Sequence, residues 1–285
     1  KGKHLVNQLI RKSQDSLTES STENGQSPRI LEALFPHSIT NGTAHSDKST
    51  VRYLRKNRKS SRTRLPNERK DSQTAWELSQ FDVPVDEAKV RFHDLDLPLE
   101  IMHAVADQSF QYCTPIQAEI LPKALAGSDT TGKAQTGTGK TAAFLIDIYT
   151  RLLREPIEGK RLPGVPRVLI LAPTRELVLQ IEEDAQCIGK YTYIQILPIF
   201  GGLGYDRQKR ALAKDTVDIV IATPGRLLDF QRQRRVKLHQ VEILVIDEAD
   251  RMLDMGFIPD VRKIVGSTPP KHKRQTMLFS ATLTP

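Results

Sequence analysis

Residues 134–141 read Ala134-Gln135-Thr136-Gly137-Thr138-Gly139-Lys140-Thr141, and this octapeptide decides the fold class of the chain. A glycine-bearing loop that opens onto a helix turns a row of backbone N–H groups toward one point, where the helix dipole also favours an anion. We expect Lys140 to reach the β- and γ-phosphates of a nucleotide and Thr141 to ligate Mg²⁺. The usual pattern begins with glycine, a position that Ala134 takes here. The octapeptide predicts a nucleoside triphosphate site, and a glycine-rich turn before an ordinary helix is the alternative.

A second pattern supplies the other half of such a site. The apolar run 241–246 ends in the acidic tetrad Asp247-Glu248-Ala249-Asp250. Asp247 is expected to hold Mg²⁺, largely through water, and Glu248 to orient and deprotonate the attacking water. An isolated tetrad could be a solvated start of a helix. Together with the octapeptide it predicts a phosphoryl-transfer centre whose catalytic residues are Lys140, Asp247 and Glu248.

The charge of the chain is concentrated in its N-terminal part. The net charge is +8, and residues 1–70 hold 15 Lys and Arg against 6 Asp and Glu, a net charge of +9. The remaining residues hold 27 against 28, a net charge of −1. Segments 13–27 and 37–50 are rich in Ser, Thr, Asn and Gly and have few apolar residues to bury, so residues 1–75 are predicted to be a disordered, basic, low-complexity tail. Such a tail could hold phosphate backbones or only keep the protein soluble.

Composition also limits the location of the protein. No run of about 18 apolar residues and no charged-then-apolar leader occurs, so neither membrane insertion nor export is expected. The two cysteines, Cys113 and Cys187, lack metal-ligand spacing and are predicted to be reduced core thiols of a cytoplasmic protein.

Strand and helix patterns alternate from about residue 90 onward. Apolar runs at 168–171, 194–200, 217–222, 241–246 and 275–279 alternate with amphipathic segments, and the more polar segment 129–133 is predicted to be the strand that leads into the octapeptide. This order predicts an α/β domain over residues 76–285, with three layers and a mostly parallel central sheet. Ligands of such sheets bind beyond the carboxyl ends of the strands.

Three of the predicted strands end in loops of Pro, Thr, Gly and Arg. These residues donate to phosphate oxygens or let a phosphate approach the backbone, although each loop alone could be ordinary turn chemistry. No aromatic stacking platform occurs in them, which favours contacts to a nucleic-acid backbone over contacts to bases. The loop residues are Pro173, Thr174 and Arg175; Gly201 and Gly202; and Thr223, Pro224, Gly225 and Arg226.

Together with Phe92 and the segment 110–117, these patterns resemble the DEAD-box ATP-dependent RNA helicases from about Phe92 to Thr282. The resemblance implies that Gln117 makes a two-point hydrogen bond to adenine and that Phe92 stacks on the base, which identifies the nucleotide as ATP. A carboxamide matches the adjacent donor and acceptor of adenine. Ser109 stands where the family usually has glycine, a change we expect to be tolerated. The implied phosphate-binding residues are Thr136, Gly137, Thr138, Gly139, Lys140 and Thr141.

The same resemblance assigns the remaining patterns. It implies that the three loops grip the sugar-phosphate backbone of one RNA strand without reading its sequence. Ser280-Ala281-Thr282 is similar to the family's coupling motif, in which hydroxyls hydrogen-bond toward the acidic tetrad. Asp250, Ser280 and Thr282 are therefore expected to link the state of the nucleotide to the grip on RNA.

The implied function is the N-terminal RecA-like, P-loop NTPase half of an RNA helicase that couples ATP hydrolysis to local duplex unwinding. The family's second RecA-like domain is not expected within a chain ending at Pro285, so these residues alone are expected to have little activity. Segment 110–117 and the basic tail are most similar to the bacterial RhlB type. We therefore expect a cytoplasmic monomer that works with ATP, Mg²⁺ and RNA, with an RNA-degradation complex as a candidate partner.

Two other functions are considered. The first is a nucleotide-binding regulatory or scaffold module in an RNA-processing complex, and the intact Lys140, Asp247 and Glu248 argue against it. The second is a DNA-directed relative, which the Thr114–Gln117 and Asp247–Asp250 signatures disfavour.

Overall fold

The structure is a computed structural model, and it describes residues 76–133, 137–157, 159, 161–202, 204–214 and 216–282. The tail predicted at 1–75 lies outside the described residues, as does the start of the octapeptide, Ala134 to Thr136.

The centre of the described chain is one sheet of six strands in the order β1-β6-β5-β2-β4-β3. Every pairing between neighbours is parallel. The strands are β1 Thr130–Lys133, β2 Val168–Leu171, β3 Ile196–Ile199, β4 Ile219–Ala222, β5 Ile243–Ile246 and β6 Gln275–Ser280. Each lies within a predicted run or extends it by one residue, so the predicted sheet is confirmed.

Eight α-helices and three short 3₁₀ turns connect these strands within the described residues. The helices are α1 Leu99–Asp107, α2 Pro115–Leu125, α3 Lys140–Arg154, α4 Arg175–Ile188, α5 Tyr205–Lys214, α6 Pro224–Arg232, α7 Ala249–Asp254 and α8 Ile258–Gly266. The 3₁₀ turns are Leu78–Gln80, Phe92–Asp94 and Lys271–Lys273.

The helices cover both faces of the sheet. Side chains of β2 alternate between two apolar clusters: Val168 joins the cluster built with α1 to α4, and Leu169 joins the cluster built with α5 to α8. A strand buried on both faces is expected in a parallel sheet, because the crossover helices pack on each side. The predicted three-layer α/β architecture is therefore confirmed.

Strand β1 has a polar sequence, yet two of its four residues are buried. Thr130 and Gly132 are buried, whereas Thr131 and Lys133 are exposed. A Cβ at Gly132 would lie 2.7 Å from the Phe279 ring, so only glycine lets β1 approach this closely. Cross-strand packing, more than apolar composition, therefore places the strand that leads into the octapeptide.

Because all strands run the same way, their carboxyl ends meet along one edge. We call the β1–β6–β5 part of this edge the P-loop half, since the octapeptide follows β1 and the tetrad follows β5. The β2–β4–β3 part, which carries the three predicted RNA loops, is called the loop half. Among the described helices, none has the length and apolar character that a membrane span requires.

Candidate active site at the carboxyl edge of the sheet

The P-loop half brings together the two charged residues that the sequence places far apart. Lys140 is the first residue of α3, and its Nζ lies 2.8 Å from Oδ1 of Asp247, at the end of β5. Both side chains are buried, at 5% and 0% exposure. Burial raises the pKa of the Asp247 carboxyl, and the adjacent Lys140 amine opposes that rise. The site therefore holds a paired charge in a region with little water.

The residues present fit a magnesium-bound triphosphate. Asp247 Oδ1 also accepts a hydrogen bond of 2.9 Å from the Glu248 N–H, while buried Oδ2 has no hydrogen-bond partner among the residues that the structure describes. A buried oxygen of this kind is suited to a metal-bound water. Gly137 and Gly139 have φ of 84° and 89°, a backbone shape that turns N–H groups toward an anion. The donor set matches a polyphosphate and its metal.

A cavity of about 230 Å³ opens beside these groups. It is lined by Lys140, Thr141 and Glu248, together with residues of α4 and of the segment before α2. Glu248 has φ 50° and ψ 51°, a left-handed conformation that is uncommon for a residue other than glycine. Its Oε2 accepts a hydrogen bond from Arg251 Nη1 at 3.2 Å. The strained backbone holds the predicted base in the wall of the cavity, as is common in functional sites.

Gln117 is engaged with the phosphate loop itself. Its Nε2 donates to the Gly139 carbonyl at 3.0 Å, and its Oε1 accepts from the Thr114 N–H at 2.9 Å. The Thr114 hydroxyl donates to the Thr138 carbonyl at 2.9 Å, a second link between the same two segments. Each of the two groups predicted for adenine therefore already makes one bond within the chain, and the second N–H and the second lone pair of the carboxamide are not used by these bonds.

Phe92, the ring predicted to stack on the base, lies inside the core. The ring is 0% exposed and packs in the core, stacked on Phe110 with ring centroids 6.2 Å apart. Phe92 therefore presents no open face to a base, and Phe110 is the aromatic ring that lines the cavity. Spacing along the sequence cannot distinguish these two orientations.

The loop half brings the three predicted RNA loops to adjacent strand ends. Thr174 begins α4, and its Oγ1 accepts a hydrogen bond from the Leu177 N–H at 3.3 Å. Gly202 has φ 99°, and the Thr223 N–H donates to the Ile199 carbonyl at 2.9 Å, which ties the loop after β4 to the end of β3. Because β2, β4 and β3 are neighbours, the loops form one continuous edge.

The predicted loop residues differ in exposure. Gly201 and Gly225 are exposed, Thr174 and Thr223 are half-buried, and the Arg226 side chain is only 14% exposed. Pro173 and Pro224 are buried, so their contribution is to the backbone path. Arg175 Nε lies 2.5 Å from Oε1 of its neighbour Glu176.

The coupling residues meet, but through a different atom from the one expected. Asp250 Oδ2 accepts a hydrogen bond from the Ala281 N–H at 3.2 Å. The Thr282 N–H donates to the Ser280 hydroxyl at 3.3 Å, so these two groups bond within their own turn. The tetrad and the segment after β6 are therefore linked by backbone.

The cysteine prediction is partly wrong. Both thiols are free, which agrees with a reduced state. Cys113 is half-buried, and burial raises the pKa of its thiol to about 11. Cys187 is exposed because it lies off the apolar face of α4 that contains Val178, Ile181 and Ala185.

Comparison with known proteins agrees with this geometry. The family model described as "DEAD/DEAH box helicase" matches residues 114–285, more than half of the chain. The chain belongs to the DEAD/DEAH box helicase family. The family assignment, together with the all-parallel sheet covered on both faces, confirms the predicted RecA-like domain.

Individual relatives are similar over the same region. The "ATP-dependent RNA helicase RhlB" of Pseudomonas putida is 57% identical over 198 residues, which are 70% of this chain and 50% of the relative. The protein of that name from Xanthomonas oryzae pv. oryzae is 50% identical over 195 residues, 68% of this chain and 34% of the relative. The predicted similarity to the RhlB type is confirmed. The chain spans about half, or less, of the length of these relatives.

Sequence reasoning missed three contributors to the site. Phe110 lines the cavity, Thr114 links α2 to the phosphate loop, and Ala281 donates the bond to Asp250. The pattern Thr114-x-x-Gln117, typical of a capping box, was an available signal for the second of these. The other two depend on three-dimensional packing.

Proposed function

We propose that these residues form the ATP-binding and ATP-hydrolysing half of an RNA helicase, which grips the RNA backbone and couples hydrolysis to local duplex unwinding. The observation that carries the proposal is the buried Lys140–Asp247 pair, which lies on the same sheet edge as the three RNA loops. Relatives named ATP-dependent RNA helicase support it. The scaffold alternative is not favoured, because a binding module has no need for a carboxylate such as Glu248 in the wall of the cavity.

The proposed roles in phosphoryl transfer follow from charge and burial. Lys140 would neutralise phosphate charge, while Thr141 and Asp247 would hold Mg²⁺, which would supply further positive charge beside the phosphates. Thr136, Gly137, Thr138 and Gly139 would complete the phosphate cradle. Glu248 would take the proton of the attacking water.

The proposed nucleotide selection rests on Gln117. Its carboxamide would offer the remaining N–H and lone pair to the edge of adenine while it stays bonded to Gly139 and Thr114, so one side chain would contact both the base and the phosphate loop. Stacking by Phe92 stays a prediction, and Phe110 is the better placed ring for a base in this structure.

The proposed RNA contacts use backbone N–H groups and small polar side chains of the loop half. The residues are Pro173, Thr174, Arg175, Gly201, Gly202, Thr223, Pro224, Gly225 and Arg226. Such contacts neutralise phosphates and carry no sequence information, so affinity would fall with salt and vary little between RNA sequences. Asp250, Ser280 and Thr282 would couple the two halves through the backbone link at Ala281.

Further proposals concern the setting of the protein. A cytoplasmic location agrees with the two free thiols. A monomeric state, a disordered tail over residues 1–75 and a helicase domain over 76–285 stay predictions. Association with an RNA-degradation complex also stays a prediction, which co-purification from cells would test.

Titration of the chain with ATP, ADP and GTP in the presence of Mg²⁺ tests the nucleotide site. We expect ATP and ADP to bind more tightly than GTP, Lys140→Ala to abolish binding, and Gln117→Ala to remove the preference for adenine. Lys123→Ala is the matched control, because Lys123 is an exposed lysine on α2. GTP binding as tight as ATP binding would contradict the proposed role of Gln117.

Competition between RNA and DNA oligonucleotides of the same sequence tests the nucleic-acid partner. We expect RNA to compete better and several RNA sequences to bind about equally. A stronger interaction with DNA would contradict the proposed substrate and support the DNA-directed alternative.

A further inference from the structure

The Arg226 guanidinium lies against a pair of aromatic rings. Its central carbon is 5.1 Å from the centre of the Tyr205 ring and 5.9 Å from the centre of the Phe230 ring. The two rings also pack on each other, with centroids 5.2 Å apart at 25°. We call these three side chains the arginine clamp. At these distances a cation is attracted to the ring faces.

The arginine clamp joins two of the three RNA loops. Tyr205 is the first residue of α5 and follows the glycine loop after β3, while Arg226 lies in the first turn of α6, after β4. Gln208 Nε2 donates to the Phe200 carbonyl at 3.3 Å, which fixes the start of α5 against the end of β3. The position of Arg226 is therefore set by an element from the neighbouring loop as well as by its own helix.

The guanidinium is well packed but poorly hydrogen-bonded. Its Nη1 is buried and has no hydrogen-bond partner in the described part of the chain. Its Nε is 4.0 Å from Oδ2 of Asp229, which is too long for a hydrogen bond. Because the side chain is 14% exposed, an arriving acceptor can reach its open part, and the incomplete hydrogen bonding of the guanidinium favours such a contact. A purely structural arginine would be expected to have these donors satisfied.

We propose that Tyr205 is a positioning residue for RNA binding: its ring holds the Arg226 guanidinium at the junction of two RNA loops, ordered in advance for a phosphate oxygen. The proposal rests on the RNA-binding function proposed above. Ordering a long arginine side chain before binding reduces the entropy lost when the phosphate arrives.

Tyr205 is the adjustable member of the arginine clamp. Phe230 is 0% exposed and belongs to the core, whereas Tyr205 is half-buried. The Tyr205 hydroxyl donates to Gln233 Oε1 at 2.7 Å, at the far end of α6, so the ring edge has a further contact that is separate from its face toward Arg226. Replacing Tyr205 therefore disturbs Arg226 without opening the core.

The test is a double-mutant cycle on single-stranded RNA binding by the whole chain, using an oligonucleotide of uniform sequence. Tyr205→Leu is expected to weaken binding about fivefold, the size expected for a partly exposed cation–π contact, and Tyr205→Phe to stay within about twofold of wild type. Arg226→Ala is expected to lower the slope of log affinity against log salt by about one. In the Arg226→Ala background, Tyr205→Leu should have no further effect, because the ring acts through the arginine.

Two controls separate positioning from general damage. ADP affinity and the unfolding midpoint should change little in Tyr205→Leu, and Tyr193→Leu, which alters a tyrosine that is 65% exposed, should leave RNA binding unchanged. Arg226→Lys keeps the charge but loses the planar stacking group, so it should bind RNA nearly as weakly as Arg226→Ala. If Tyr205→Leu does not fold, Arg226→Lys still decides: wild-type affinity in that variant overturns the proposal.

The other outcomes are equally decisive. An equal loss from Tyr205→Leu with and without Arg226, or no loss with Arg226 present, overturns the positioning role and leaves the RNA function intact. RNA binding that is insensitive to Arg226→Ala overturns the assignment of RNA to this edge, and the positioning role with it. The nucleotide titrations are independent of both results.

Discussion

The P-loop half and the loop half of the carboxyl edge differ in the type and the burial of their residues. In the P-loop half, charged and amide side chains are buried and bonded within the site, as Lys140 is to the Asp247 carboxylate and Gln117 is to the Gly139 carbonyl. In the loop half, small residues and backbone groups dominate, and most lie near the surface. Both halves belong to the same parallel sheet, so the fold alone does not cause the difference.

The contrast follows from the ligands proposed for each half. Transfer of a phosphoryl group requires fixed charges in a region with little water, where electrostatic interactions are strong. A strand of RNA of any sequence must instead be accepted from solvent, and its phosphates can be met by donors that remain partly hydrated. We therefore expect substitutions in the P-loop half to affect both stability and binding, and those in the loop half to affect mainly binding.

The largest effect is expected for Lys140→Ala. Removing the amine leaves Asp247 buried without its cation, so the free energy of unfolding should fall by about 3 kcal/mol near neutral pH. Nucleotide binding should be lost as well. Urea denaturation and ADP titration measure the two effects.

A second substitution sharpens this prediction. Asp247→Asn in the Lys140→Ala background removes the uncompensated charge, so it should recover much of the stability while nucleotide binding stays lost. If Lys140→Ala is as stable as wild type, the buried pair is not the organising interaction of the P-loop half.

A smaller effect, on the order of 2 kcal/mol of stability, is expected for Gly139→Ala. The residue has φ 89°, and an added Cβ would lie 2.6 Å from Gln117 Nε2. Backbone strain and displacement of the Gln117 bonds should both contribute, and nucleotide affinity should fall at least tenfold. Gly137→Ala is the matched control, because it has φ 84° but no described atom within 4 Å of the new Cβ. Equal destabilisation by the two variants would show that Gln117 does not brace the loop.

Asp147→Asn should change the stability by a comparable amount, but it should raise the stability, and the change should depend on pH. Asp147 lies on α3, is buried, and its Oδ2 has no hydrogen-bond partner within the described residues. Burial raises its pKa to about 7, and Arg151 opposes the rise. Because the folded-state pKa is raised, the contribution to stability is fully present below about pH 4 and is lost as the pH rises through about 7.

The neutral amide avoids that loss. Asp147→Asn should therefore be more stable than wild type by about 2 kcal/mol near pH 8, with the difference vanishing toward pH 4. Urea denaturation across this range measures it, and Asp206→Asn, at an exposed carboxylate of α5, is the control. A difference that is independent of pH would mean that Asp147 does not titrate in the folded protein.

Much of the difference between the P-loop half and the loop half could be predicted from the sequence. The apolar runs before Asp247 and Pro173 identify strands, and parallel strands bring their ends to one edge. This rule predicts that Lys140, Asp247 and the loops lie at the same edge, and the described residues have that arrangement. The exposure of Cys187 could also be predicted, because this residue lies off the 3.6-residue apolar period of α4.

Other features depend on packing that no local pattern contains. Phe92 is buried in the core whereas Phe110 lines the cavity, and this difference depends on how the two segments pack. The bond from Gln117 to Gly139 requires α2 and α3 to approach at their starts, and the clamp around Arg226 requires α5 and α6 to be neighbours. These contacts join residues from different crossovers, so propensity and periodicity say nothing about them.

The smallest effect, about 1 kcal/mol of stability, is expected in the loop half, where Gly201 and Gly202 form a matched pair. Gly202 has φ 99°, so Gly202→Ala should be strained by about that amount. Gly201 is not among the positive-φ glycines, and no described atom lies within 4 Å of an added Cβ, so Gly201→Ala should leave stability unchanged. Both methyl groups should hinder a phosphate from approaching the backbone, so both variants should bind RNA a few-fold more weakly with ADP affinity unaltered. RNA loss in Gly202→Ala alone would mean that the strained backbone shape, and not close approach of the phosphate, is what the loop half provides.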